Sequence, residues 1–221
     1  MINLIIKDFM LQKKYIYFAV GYGVFIFFAF QHAGFNNFIY SMGSIAISYI
    51  FIASAINHDE KDNANVVLIS LPIKRYRIVL AKYITILTVI ALSLAVMGLL
   101  GAVFKVVGFP TVVRFINISD AIITFVSVGL LSSVYYPINL KFGSSYLRIF
   151  NVFIFMLVFF LPKTIAELLT EYRDSVFVRF ITVMKAGLPD WLKVSLAVVI
   201  TLFIIVLSFT ISVKIYNNKE F

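Results

Sequence analysis

The sequence predicts an all-α membrane protein with six transmembrane helices and an N-terminal amphipathic helix in the interface. Three observations predict it. Of 221 residues, 62% are hydrophobic and only 13% charged, about half the usual charged fraction. With a mean hydropathy of +1.02, a soluble domain could not cover its surface with polar groups. The apolar residues fall in six runs, most approaching the roughly 20 residues that a bilayer core about 30 Å thick requires. The runs are continuous and not dyad-alternating, which argues against a transmembrane β-barrel. So much apolar surface excludes intrinsic disorder. The absence of cysteine removes disulfides, thiolate metal sites and cysteine nucleophiles.

The chain opens with MINLIIKDFMLQKK. In residues 1–14, Ile2, Ile5, Ile6, Phe9 and Met10 share one helical side, with Lys7, Asp8, Lys13 and Lys14 as the polar positions. That pattern reads as a helix lying in the membrane interface. An ordinary basic flank of the first span explains the same residues. Charges interrupt the start and no A-x-A site follows, which argues against a cleaved signal peptide. Residues 15–221 form a single six-span domain. Span 1 covers about Tyr15–Phe30, span 2 Asn37–Ile56, span 3 Ile78–Phe104, span 4 Ala121–Leu140, span 5 Leu147–Leu161 and span 6 Val194–Val213.

Six spans place both termini on one side. If that side is the cytoplasm, 12 of the 19 basic residues lie on it or at its immediate flanks, including Lys13, Lys14, Lys61, Lys74, Arg75, Arg77, Lys141 and Lys214. The positive-inside rule therefore favours N-in, C-in topology. The formal charge of +9 becomes an orientation signal, and no nucleic-acid partner is needed to explain it.

The spans hold almost no ionisable residue at depth. Lys82, near the inner end of span 3, can snorkel, and His32 and His58 follow spans 1 and 2. Ion-coupled carriers commonly need intramembrane Asp, Glu, His or Lys. No H-E-x-x-H and no G-x-x-x-x-G-K-[ST] occurs, and two histidines without cysteine offer few metal ligands. The chain is expected to be no enzyme, to hold no metal or cofactor, and to draw any energy from another polypeptide.

The most informative stretch is Asn57–Lys82, NHDEKDNANVVLISLPIKRYRIVLAK. Asp59, Glu60 and Asp62 come first, and carboxylates in a first helical turn complement the helix dipole. Val66, Val67, Leu68, Ile69 and Leu71 follow, and Pro72 terminates. The spacing predicts a short inner helix over about Glu60–Ser70, with Lys74–Arg77 at the headgroups. A solvated loop obeying the positive-inside rule explains the same composition. A short helix with an apolar stripe and acidic ends instead suits a docking socket on a cytosolic partner.

The run Asp59-Glu60-Lys61, then Leu71-Pro72-Ile73-Lys74-Arg75, Ile78-Val79 and Ala81-Lys82-Tyr83, resembles membrane subunits of bacterial ATP-binding-cassette exporters of the type-2 class. Pro137-Ile138-Asn139-Leu140-Lys141-Phe142-Gly143 resembles their string between spans 4 and 5. The resemblance covers essentially the whole chain. It implies a permease and a coupling helix over Asn57–Leu71 that contacts an ATPase, with Asp59, Glu60, Lys61, Asp62, Val66, Leu71, Pro72 and Arg75 as the ATPase-coupling residues. It also implies a second permease, as a homodimer or related pair, and separate P-loop ATPase subunits that bind ATP and Mg. The implied location is the bacterial cell membrane.

Asn37, Ser41, Ser44 and Ser48 share one face of span 2. Tight helix packing explains them, as does a mildly polar translocation path. Span 5 adds Asn151 and Phe155, with Phe153, Phe159 and Phe160, as a wall suited to amphipathic cargo. Gly98 and Gly101 mark close helix contact. The outer segment Lys163–Lys193 is amphipathic and predicts a surface or re-entrant helix, with Trp191 at the outer interface. Asn117-Ile118-Ser119 matches a glycosylation sequon, a weak three-residue signal. The expected function is ATP-driven export of amphipathic peptide, antibiotic or lipid-like cargo. The alternative is a non-transport membrane protein, such as an assembly or immunity factor, acting by lipid or protein binding.

Overall fold

A computed structural model of the chain describes residues 13–29, 38–61, 74–108, 114–143 and 189–218. They form five helices: α1 (Lys13–Ala29), α2 (Ile39–Lys61), α3 (Arg75–Val106), α4 (Ile118–Phe142) and α5 (Asp190–Asn218). No strand occurs among the described residues. Segments this apolar satisfy their backbones internally, and a helix does so within one segment. Four helices are long and apolar enough to cross a bilayer, α2 through its Ile39–Asp59 portion. The 32 residues of α3 extend about 48 Å at 1.5 Å per residue, so its ends stand outside a core about 30 Å thick. The 17 residues of α1 reach only about 26 Å.

Spans 1, 2, 3, 4 and 6 correspond to α1–α5. Each helix extends past at least one end of its apolar run, because polar residues can continue a helix. Lys13 and Lys14 are continuous with α1, and α5 takes in Asp190–Lys193 from the expected outer segment. Span 5, Phe153, Phe159 and Phe160, residues 1–12 and most of Lys163–Lys193 lie outside the described residues.

Helix α3 is the hub and packs against all four others. Paired residues give the directions. Asp59 meets Lys82 and Ser48 meets Ser93, so α2 and α3 are antiparallel. Gly129 lies against Thr201 and Ile205, and Ser208 reaches Ser133, so α4 and α5 run parallel. Residues 61 and 74 mark what is here the lower end of the bundle. The lower core joins Ile52 and Ile56 of α2, Ile78, Tyr83 and Ile86 of α3, Tyr135, Tyr136 and Leu140 of α4, and Tyr216 of α5. A second, upper core joins Ile26 and Phe27 of α1 to Tyr40, Ile47, Val89 and Met97.

Two special residues shape these contacts. Pro137 lies inside α4 and has no N–H for the carbonyl four residues earlier. That carbonyl, on Ser133, instead accepts the Ser208 hydroxyl of α5. Ser208 is thereby committed as a donor, so it accepts from Tyr83 at 2.6 Å, and Tyr83 accepts from Ser212 at 3.0 Å. The freed carbonyl anchors a hydroxyl chain across three helices. At the end of α4, Gly143 adopts φ +82° and donates its N–H to the Asn139 carbonyl at 2.8 Å. A left-handed residue that stops a helix is commonly Gly, which explains the glycine of the KFG string.

The upper end is closed by an ion pair. Asp120, in the first turn of α4 and 1% exposed, accepts two bonds from Arg114 at 2.6 and 2.8 Å and one from the Asn117 N–H at 2.9 Å. Asn117 of the sequon is thus the residue that caps α4. Tyr40 donates to the Arg114 carbonyl at 2.8 Å, and its ring lies 5.2 Å from the guanidinium. The hydrogen bonds to Asp120 raise the Arg114 pKa above its ordinary value, against partial burial. A Cβ at Gly101 would stand 2.3 Å from the Tyr40 hydroxyl, so that glycine admits the ring, whereas one at Gly98 would make only ordinary contact with Ile116 at 3.5 Å.

Candidate functional site

The candidate site is the lower end, where α2 delivers the chain into residues 62–73 and α3 receives it back. The expected short helix begins at Glu60, but Asp59, Glu60 and Lys61 form the last turn of α2. No Gly or Pro follows Gly43 within Ile39–Lys61, so the helix runs five residues beyond the apolar run. Asp59 therefore faces the negative end of a helix dipole and not the positive end. A cation offsets that cost. Asp59 is 6% exposed and bonds Lys82 of α3. Lys82 does not snorkel to water, because its ammonium is held by this carboxylate.

The start of α3 is tied as well. Arg75, the first residue of α3, donates to the carbonyls of Asn217 at 2.7 Å and Tyr216 at 3.4 Å. A guanidinium on the last carbonyls of α5 satisfies groups that the helix leaves open and complements its dipole. Tyr216 is fully buried. The two helix ends that flank residues 62–73 are thus both held, α2 by Asp59–Lys82 and α3 by an Arg75 clamped to α5. On the other side of α2, His58 meets the Tyr15 ring edge-on at 6.0 Å, which ties the start of α1 to the same end.

Of the expected coupling residues, the structure brings Asp59 and Arg75 into this cluster. Glu60 and Lys61 belong to the α2 backbone, and Asp62, Val66, Leu71 and Pro72 lie outside the described residues. Of the expected path residues, Ser41, Ser44 and Ser48 are buried. Ser41 donates to the Phe38 carbonyl at 3.0 Å, and Ser48 pairs with Ser93 of α3 at 2.8 Å. The Ser44 hydroxyl has no hydrogen-bond partner among the described residues. In the single chain this face is a helix contact. Asn37, Asn151 and Phe155 lie outside the described residues.

Sequence reasoning missed the roles of Lys82 and Tyr216. A lysine one turn into an apolar run, opposite an acidic span end, was the available signal for Lys82. The sequence holds none for Tyr216.

A family model described as an ABC-2 family transporter protein matches residues 3–217 of the chain. No curated protein matches, and no solved structure matches.

Proposed function

The chain belongs to the ABC-2 family of transporter proteins, and on that premise we propose that it is the permease half of an ATP-driven exporter. The family makes it a multi-pass membrane protein, a permease subunit that partners an ATPase subunit. Beyond that, we read the ATPase as a separate polypeptide that holds ATP and Mg, with this chain performing no covalent chemistry. The proposed cargo is an amphipathic peptide, antibiotic or lipid-like molecule, moved out of the bacterial cell. Within the family, we read the loop strings as similar to those of the permease of the phenol-soluble modulin exporter of Gram-positive bacteria. A second permease would complete the transport path.

Six spans with both termini cytoplasmic remain the proposed topology. The parallel run of α4 and α5 supports it, because the chain between them must return across the bilayer. The basic residues Lys74, Arg75, Arg77, Lys141 and Lys214 cluster at the proposed inner end.

The observation that carries the coupling proposal is that the helix ends flanking residues 62–73 are both held, at Asp59–Lys82 and at Arg75. A push on that segment is delivered to α2 and α3 through Asp59–Lys82, and to α5 through Arg75. Helix ends held this way transmit displacement, whereas loosely held ones would absorb it. A translocation path past Ser41, Ser44 and Ser48 would require α2 and α3 to part there.

The test is co-expression with a candidate soluble ATPase and purification on a permease tag. The ATPase should co-purify. Replacing Glu60, Asp62, Val66 and Leu71 together should detach it, or leave ATP hydrolysis uncoupled from export, while the permease itself stays folded. Assembly and ATP-driven export that survive this replacement would remove the coupling assignment.

A further inference from the structure

The last turns of α4 and α5 enclose an open cleft of about 530 Å³ lined by Leu140, Lys141, Ile211, Lys214, Ile215 and Asn218. Leu140, Ile211 and Ile215 give it an aliphatic lining, and Lys141 and Lys214 add two cationic side chains. Both lysines are exposed. Neither has a carboxylate partner among the described residues. Lysines at a helix C-terminus are ordinarily taken up by the last carbonyls and the dipole. Here those roles are filled by other groups. Arg75 holds the terminal carbonyls of α5, and the Gly143 N–H closes α4. The Lys141 ammonium stands 5.1 Å from the Phe142 ring centroid, and the described carboxylates neutralise neither it nor Lys214.

From this we propose that the α4–α5 cleft binds an anionic phospholipid. Its phosphate bridges Lys141 and Lys214, and the first carbons of an acyl chain lie on Leu140, Ile211 and Ile215. The charge calls for an anion, and the aliphatic lining calls for an amphiphile and not free phosphate. Basic clefts between transmembrane helices at headgroup depth select anionic lipids in this way. The site would fix the relative positions of α4 and α5 at the end where α5 is clamped to Arg75.

The test is lipid titration of the purified full chain by native mass spectrometry, with phosphatidylglycerol and phosphatidylcholine as probes. Phosphatidylglycerol should bind about tenfold more tightly, and Lys141→Gln with Lys214→Gln should abolish that preference. The double arginine variant keeps the charge and should retain it, which separates charge loss from misfolding. Lys74→Gln with Arg77→Gln removes equal charge from the same end outside the cleft and should change the preference less than about threefold. An equal loss in that control would reduce the effect to general surface charge and overturn the site. Displacement of the lipid by millimolar inorganic phosphate would overturn the lipid assignment. Tighter lipid binding after removal of residues 219–221 would identify the chain's own tail, with Glu220, as the occupant, and would also overturn it.

Discussion

Two buried ion pairs close this bundle at opposite ends, and they are built on different principles. At the upper end, Asp120 sits in the first turn of its helix, where the dipole favours a carboxylate. It receives a bidentate guanidinium and a backbone N–H. At the lower end, Asp59 sits in the last turn of its helix, where the dipole opposes it, and the cation described on it is the ammonium of Lys82. Planar bidentate pairing fixes geometry, whereas an ammonium on a flexible stem tolerates displacement. The over-determined pair holds the end away from residues 62–73. The tolerant pair stands where the proposed ATPase would push. On the proposed coupling, the end that is pushed carries the pair that tolerates displacement, and the far end carries the pair that resists it.

The comparison breaks first at Asp120. Asp120→Ala removes the Arg114 partner and the cap of α4 together, and should cost about 3–5 kcal/mol. The measurement is the unfolding free energy of the purified chain in mixed micelles. Adding Arg114→Leu should recover only part of the loss, because the Asn117 N–H still lacks its acceptor. Full recovery would mean that Asp120 acts as an ion-pair partner alone, and the contrast between the ends would weaken.

The lower pair should behave differently. Lys82→Met should cost about 1.5–3 kcal/mol, the scale of a hydrogen bond to a charged group. Adding Asp59→Asn should bring the double variant to within about 1 kcal/mol of the parent, since a buried pair replaced as a unit is commonly near neutral. If the proposed coupling holds, that double variant stays folded yet exports less cargo per ATP hydrolysed. A double variant that is stable and fully coupled would show that the tether at Asp59 transmits nothing.

The two ends also differ in how much of them the sequence discloses. The apolar runs locate α1–α5 because helix formation in a bilayer is dictated by composition. Gly101 is legible as a small residue that admits a neighbouring helix, although the ring it admits, Tyr40, is not. The pairs are another matter. Asp59 and Lys82 are 23 residues apart, and which charges meet depends on the register of two antiparallel helices, which neither helix encodes alone. Asp59 also illustrates a boundary error with a physical cause. Acidic residues after an apolar run look like the start of a new helix, and only the buried cation on α3 allows them to finish the old one. Arg114 and Asp120 are close in sequence, but the tyrosine that covers them comes from α2, 74 residues from Arg114.

The smallest expected effect probes the seam between α4 and α5 that both ends share. The Ser133 carbonyl accepts from Ser208 because Pro137 supplies no N–H. Ser208→Ala should therefore cost about 0.6 kcal/mol, and no more than about 1.7, the range for interhelical hydrogen bonds in membranes. In a Pro137→Ala background the helix can bond its own carbonyl, and the same serine change should cost less. The coupling energy from that double-mutant cycle reports the carbonyl directly. Non-zero coupling makes the proline the reason that α5 docks polar-side-in against α4. Strict additivity would instead make Ser208 a partner of Tyr83 alone, and the proline a feature of α4 by itself.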